Sequence, residues 1–359
     1  MNGKCFLQIL AIMRLEIKKT FFSRRSLWVY LLAFAPVLIF FARSINEPRQ
    51  RDRLAEIAAK HPVSTQALNS IREETTYEQV IEKLGEPYLK NFRSGRRGPG
   101  PEHEFGFVRY TDGQTDLVLH FFDGKVVRIA KNQVDNIERS QTVFATSFQF
   151  YFLRLAVFFG CVGVFVNLFR GEMLDKSLHF YLLTPMRREV LLAGKYFAGL
   201  LVTTVIFTSS TALQWWAMLR QFDQAVLADF FAGGGLSQFW TYLGVAILAC
   251  VAYGSVFLTV GLFFRNPIIP AAVVLLWEAI NSFLPIALKK ISIIYYLQSI
   301  CPVAASQDSD LPALVKFLIS PTQLVSPLFA FVCIIILTIL MFALAGFLAR
   351  RLEINYSID

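Results

Sequence analysis

The sequence predicts an all-α polytopic membrane protein of six transmembrane helices, with a small extracytoplasmic α+β domain inserted between helices 1 and 2. Three observations lead there. Apolar types make up 55% of the 359 residues, charged types only 17%, and 35 residues are Phe, far from the balance of a water-soluble domain. One long apolar stretch lies before residue 46 and five lie after residue 140, each near the ~20 residues that cross ~30 Å of hydrocarbon. Between them, residues 46–140 hold 15 Lys plus Arg and 15 Asp plus Glu, so the whole surplus of +9 falls in the apolar part, where 20 basic residues face 11 acidic ones. A neutral polar block offers no basic surplus to phosphates, which argues against a nucleic-acid partner.

The chain divides into residues 1–45, 46–140 and 141–359. In the first part, Phe6, Ile9, Leu10, Met13, Ile17 and Phe21 recur at helical spacing, with Arg14, Lys18 and Lys19 elsewhere on the cylinder. That pattern predicts a helix lying in the membrane surface, its bases toward lipid headgroups. No small-residue cleavage site separates it from the next span, so it is expected to be retained. The first span follows over about 27–45.

The polar block opens with RQRDRLAEIAAK, a helix candidate stopped at His61-Pro62. A second helix starts near Thr75-Thr76, sets Tyr77, Val80, Ile81 and Leu84 on one face, and ends at Gly85-Glu86-Pro87. SGRRGPGP, residues 94–101, reads as a loop. FGFVRYT and TDLVLHFF alternate as strands, and Asp123-Gly124 turns the chain into KVVRIA, a two-residue hairpin signal.

From residue 143 the expected spans are about 148–169, 191–217, 239–264, 268–287 and 324–348. Lys18, Lys19, Arg24 and Arg25 precede the first span, Arg170, Lys176, Arg187 and Arg188 lie between the second and third, and Arg350-Arg351 follow the last. The positive-inside rule makes these segments cytoplasmic, which puts both termini inside and residues 46–140 outside. Trp215, Trp216 and Tyr242 are then expected as anchors at the outer interface.

The most informative stretch is the loop after the second span, GEMLDKSLHFYLLTPMRREVLLAGKYF. Glu172 to Leu183 reads as a short amphipathic helix, with Glu172 four residues before Lys176 in the favourable order. Pro185 biases Thr184 out of the helical region, and the chain turns through Arg187-Arg188 into the third span. The plain alternative is a surface helix that only connects two spans.

Here the residues resemble the permease subunits of ABC transporters, of the ABC type-2 class. The likeness rests on the surface helix before the first span, Glu172, the LLTPMRRE segment and Gly194-Lys195. It implies that the N-terminal helix is a connector and that residues 171–190 hold the coupling helix docking on an ATPase, with Glu172, Lys176, Leu183, Pro185, Arg187 and Arg188 as contact candidates. It also implies two copies of an ATPase subunit carrying the ATP and Mg, a second permease (the same chain or a homologue), and a bacterial cytoplasmic membrane. The chain itself lacks G-x-x-x-x-G-K-[ST], so no cofactor, metal or catalytic residue is expected on it. Residues 46–140 depart from the short link of that family. TTYEQVIEKLGEPY with the Phe122-Asp123-Gly124 hairpin resembles the SmpA/OmlA domain of outer-membrane assembly lipoproteins, which implies two helices on a three-stranded sheet and an envelope protein as a partner.

Two polar groups stand in apolar surroundings. Glu278 falls within the fifth expected span and Arg154 within the second, and the two are natural counter-charges; Asn281 continues the polar character one turn on. A gate or substrate contact and a structural interhelical pair are both open readings. All four His lie outside the spans, so no Ser-His pair or H-E-x-x-H site sits at membrane depth. The resulting expectation is the permease subunit of an ATP-driven exporter. The alternative is a non-transporting membrane protein through which ATPase motion controls an envelope-assembly or cell-wall partner.

Overall fold

A computed structural model describes residues 2–21, 27–95, 103–133, 136–174, 187–264, 266–281, 284–304 and 325–350. The chain packs as two compact units, one of residues 41–138 with 219–224 and the other of the remainder. It is mostly helical, with several helices apolar and long enough to cross a membrane and one small sheet.

In the smaller unit the polar segment 49–60 is not a separate helix. It continues α2 (Leu27–Lys60), which also contains Pro36 and Pro48. Arg43 pairs with Glu47 one turn on, at 2.9 Å, just ahead of Pro48, and good helix formers follow it, so the lost N–H does not end the element. The stop falls as expected: His61 N–H donates to Ile57 O at 2.9 Å, and Pro62 follows. A short α3 (Thr65–Asn69) is capped by Ser64, whose Oγ accepts the Gln66 N–H. In α4 (Tyr77–Leu84), Gln79 Oε1 accepts the Thr76 N–H at 3.2 Å. Gly85 at φ 75 ends that helix, donating its N–H to Ile81 O.

Four antiparallel strands, β1 (Leu89–Gly95), β2 (His103–Thr111), β3 (Thr115–Phe122) and β4 (Lys125–Gln133), pair in chain order. The expected three-stranded sheet thus gains β1, and Ser94 and Gly95 belong to it rather than to a loop. LKNFRSG is too polar to alternate visibly; its inward side is carried by Phe92, which lies opposite Gly106. The turn at Asp123 (φ 48) and Gly124 (φ 75) has both residues left-handed, as a tight hairpin demands. Leu117, Leu119 and Phe121 of β3, with Val108, Tyr110 and Val126, pack against Leu68, Ile71, Val80 and Leu84. Each such side chain contributes about 1.5–3 kcal/mol of burial. Tyr77 stands edge-on to Phe92 at 5.2 Å and to Phe121 at 5.5 Å, and the Tyr110 hydroxyl donates to Gly85 O at 2.9 Å, tying the sheet to the end of α4.

In the larger unit α1 (Asn2–Phe21) precedes α2. Next comes one helical rod of α5 (Ile137–Ser147), a π-helical segment (Phe148–Val157), α6 (Phe158–Cys161), a second π-helical segment (Val162–Val166) and α7 (Asn167–Leu174). Then follow α8 (Arg188–Leu219), α9 (Gln224–Ala232), α10 (Gly235–Phe263), α11 (Ile268–Ile280), α12 (Ile286–Lys289), α13 (Ile293–Ile300) and α14 (Pro327–Arg350). Among the described residues α2, the rod over Ile137–Phe169, α8, α10 and α14 are long and apolar enough to cross a membrane. The stretch expected as a span over 268–287 differs: α11 has 13 residues, about 20 Å at 1.5 Å per residue, and Pro285 opens a new short helix.

Interhelical hydrogen bonds and rings hold this unit. Ser210 Oγ donates to Ala33 O at 2.5 Å, Tyr151 OH to Leu32 O at 3.1 Å, and Thr259 Oγ1 to Met341 O at 3.0 Å. Phe144 meets Trp215 at 5.0 Å and Tyr242 at 4.9 Å, and Phe148 meets Tyr242 at 4.9 Å. Trp215 and Tyr242 are therefore buried in an aromatic cluster, not interfacial anchors; Trp216, on the other side of α8, is exposed.

One titration follows from the sheet. Partial burial, then the charges of Arg128 and Arg109, hold the His120 imidazole below its ordinary 6.5. The unfolded chain therefore takes up this proton first, so the domain's stability is complete above pH 6.5 and declines as pH falls through that value. An NMR titration of labelled histidine should give His120 an apparent pKa below the ordinary 6.5.

Candidate functional site: a helix junction and a buried carboxylate

The predicted coupling region is bracketed by α7 and α8. Lys176, Leu183 and Pro185 lie outside the described residues, and for Glu172 only the backbone, on the last turn of α7, is described. On the α8 side, Arg187 is exposed and its carbonyl accepts the Val190 N–H at 3.0 Å. Arg188, also exposed, reaches along the chain's own last helix: Nη1 donates to Arg350 O at 2.8 Å, satisfying a carbonyl at the end of α14 with a cation. Arg350 Nε in turn bonds Glu189 Oε1 at 2.6 Å. Two of the expected ATPase contacts are thus separated, with Arg187 outward and Arg188 clamping α14 to the start of α8.

Two turns further, Lys195 is fully buried. Its Nζ donates to Glu16 Oε1 at 2.5 Å and to Leu168 O at 3.0 Å, and sits 5.4 Å from the centre of the Phe169 ring. Glu16 is 2% exposed. One ammonium thus joins α1, α7 and α8, on both sides of the 175–186 connection. Gly194 makes the approach feasible, because a Cβ there would lie 2.9 Å from Ile12 Cβ. These contacts add a protein-facing side to α1, carrying Ile12 and Glu16, while Phe6 and Leu10 of the expected apolar stripe are exposed. Sequence reasoning flagged Gly194-Lys195 but missed Glu16; the available signal was an acid amid bases on an otherwise cationic helix.

The second locus gathers Glu278, Arg154 and Asn281, all buried. Glu278 accepts hydrogen bonds from Ser292 Oγ at 2.5 Å, Ile293 N at 2.9 Å and Ile294 N at 3.2 Å. Its carboxylate therefore caps α13, taking the free N–H groups and positive end of that helix. Arg154 lies in the first π-helical segment, a local widening of the ladder often found at functional sites. Its guanidinium lies 5.2 Å from the Phe150 ring, and Nε and Nη1 have no hydrogen-bond partner among the described residues. Glu278 and Tyr253 are its electrostatic neighbours. The expected counter-charges thus interact through space, while the hydrogen bonds of Glu278 go to α13. Among the described residues Asn281 Oδ1, at the end of α11, and the Tyr253 hydroxyl are likewise buried without a partner.

No protein-family profile matches the sequence, and neither curated proteins nor solved structures give a match.

The Glu16–Lys195 pair invites a double-mutant cycle. Removing one partner leaves an uncompensated buried charge, so Glu16→Gln or Lys195→Met alone should destabilise the detergent-solubilised protein by about 3–5 kcal/mol. The pair Glu16→Leu with Lys195→Met should recover most of that loss in the same unfolding assay. Separately, Gly194→Leu should weaken the seating of α1, read as faster proteolysis between α1 and α2.

Proposed function

We propose that the chain is the transmembrane permease subunit of an ATP-driven ABC exporter in a bacterial cytoplasmic membrane. Both termini are inside, residues 46–140 are outside, and α11 with its short successors makes the fifth of six crossings. The observation that carries this reading is the Lys195 junction. A connector helix fastened by a buried ion pair to the helices on both sides of the 175–186 segment is what force transmission from a docked ATPase requires. A surface helix that merely linked two spans would need no buried charge at its root.

The chain's residues then act in sequence. ATP closes a dimer of partner ATPases, which push on Glu172, Lys176, Leu183, Pro185 and the exposed Arg187. Lys195 and Arg188 convey that displacement to α1, α7 and α14 as one group, and two permeases open a path between them. The nucleotide shifts the equilibrium only by binding the two states differently. Arg154 and Glu278 provide a polar locus at the end of α11 for such a change. The class of reaction is transport; hydrolysis belongs to the partner.

A second reading is favoured by the groove on the sheet of residues 89–133, lined by Arg93, Phe105, Phe107, His120, Phe122 and Val127 and suited to a protein ligand: ATPase motion would then control an envelope partner without moving a substrate. Affinity purification from native membrane in mild detergent separates the two from the start. A stoichiometric ATPase with vanadate-sensitive hydrolysis supports coupling, and its absence removes both readings. Arg187→Glu should lower stimulated hydrolysis severalfold or more while leaving membrane insertion unchanged; undiminished hydrolysis would refute docking at this segment. Replacing residues 50–138 by a short linker should preserve substrate movement if the chain is an exporter.

A further inference from the structure

Strands present alternate residues to opposite faces, and the sheet of residues 89–133 buries one face throughout and the other only in part, at Asp116 and Val118 but not at His120 and Phe122. Its inner face is covered by α3 and α4. The other carries a groove of about 600 Å³ whose floor is Phe105, Phe107, Phe122 and Val127, with Asn91, Arg93 and His120 along it. Phe105 stands edge-on to Phe122 at 5.1 Å, and Phe107 lies 6.1 Å from the His120 ring. Phe122 and Val127 are 38% and 57% exposed, which is costly for apolar groups on a small domain unless a ligand covers them.

Basic residues outnumber acidic ones on this face. Arg93, Arg109 and Arg128 stand at open-face positions of three strands. The one carboxylate among the described residues of that strand face, Asp116, is buried, accepts the Tyr88 hydroxyl at 2.9 Å and lies 3.8 Å from Arg109. Aromatic floor and guanidinium rim together are the composition of an interface centre. The groove also abuts β1, the last strand of the sheet. Leu89, Asn91 and Arg93 recur there every second residue, at about 6.6 Å, the spacing of side chains on an adjoining strand. Among the described residues β1 pairs only with β2, and its outer N–H and C=O groups form a ladder that a lipid cannot complete.

We propose that this face docks an extended, acidic and aromatic segment of a partner protein, which adds to β1 as a fifth strand and lays alternate side chains across the groove. Backbone pairing supplies affinity, and Arg93, Asn91 and the Phe105–Phe122 pair supply selection. The permease reading is not needed for this inference.

The test uses the full chain in nanodiscs of zwitterionic lipid and a fluorescein-labelled nonapeptide, Phe-Thr-Asp-Thr-Phe-Thr-Asp-Thr-Phe, followed by anisotropy. Saturable binding with Kd at or below about 100 µM is expected. Lys in place of Asp should weaken it at least tenfold, and so should N-methylation of four consecutive peptide residues, which keeps charge and rings but blocks the ladder. Arg93→Glu should lose tenfold and Arg93→Lys much less; Phe122→Ala, at a partly exposed position, is the second variant, and thermal melting confirms that each variant is folded. Absence of binding overturns the proposal, as does equal binding of the N-methylated or Lys peptide. Capture of anionic vesicles by the native chain but not by Arg93→Glu, without peptide binding, would assign the face to a lipid surface and overturn it as well.

Discussion

The membrane unit depends on one buried ammonium. Lys195 is fully buried, out of reach of bulk solvent, so it is held by Glu16 and the Leu168 carbonyl, and each partner comes from a different helix. A charge in such a place is tolerated only while the geometry satisfying it persists. That condition fixes the depth of α1, the register of α8 against the end of α7, and the position from which the 175–186 connection departs. The contact between Gly194 and Ile12 follows from it, since α1 cannot reach Lys195 unless α8 presents no side chain at the crossing. The Arg188 and Glu189 contacts to α14 extend the same rigid group by one more helix.

The carboxylate at Glu278 solves the opposite problem. The chain after α11 breaks into short helices, each with unsatisfied N–H groups that an apolar environment would penalise. By accepting from Ser292, Ile293 and Ile294, Glu278 satisfies the start of α13 from fourteen to sixteen residues upstream. Arg154 contributes its field without a direct hydrogen bond. One buried ionisable residue therefore caps this helix from a distant part of the chain.

What the sequence made legible was whatever has a local cause. Asp123-Gly124 declares its turn because two consecutive left-handed residues are needed there, and Gly85-Glu86-Pro87 declares a helix end for a related reason. Length and apolarity mark the helices able to cross a membrane. What escaped depends on partners distant in sequence. β1 is polar and owes its strand state to pairing with β2; the protein-facing side of α1 is set by Lys195, 179 residues from Glu16; Trp215 and Tyr242 are typical of interfaces by type, yet are drawn inward by Phe144 and Phe148. The continuity of α2 through Pro48 was hidden because composition changes from apolar to polar while the backbone does not.

The two π-helical segments, Phe148–Val157 and Val162–Val166, bear on how this rod can respond to force. A wide turn holds one residue more than the α ladder would, displacing everything beyond it by about 100° around the axis. Helical-wheel phases on the two sides of such a defect therefore disagree, and one periodicity cannot describe the lipid-facing side of the whole rod. A wide turn can also migrate by exchanging one backbone bond for the next, much as a dislocation glides through a crystal. Arg154, inside the first segment, would swing around the axis as the defect passed it, while both ends of the helix stayed where they were.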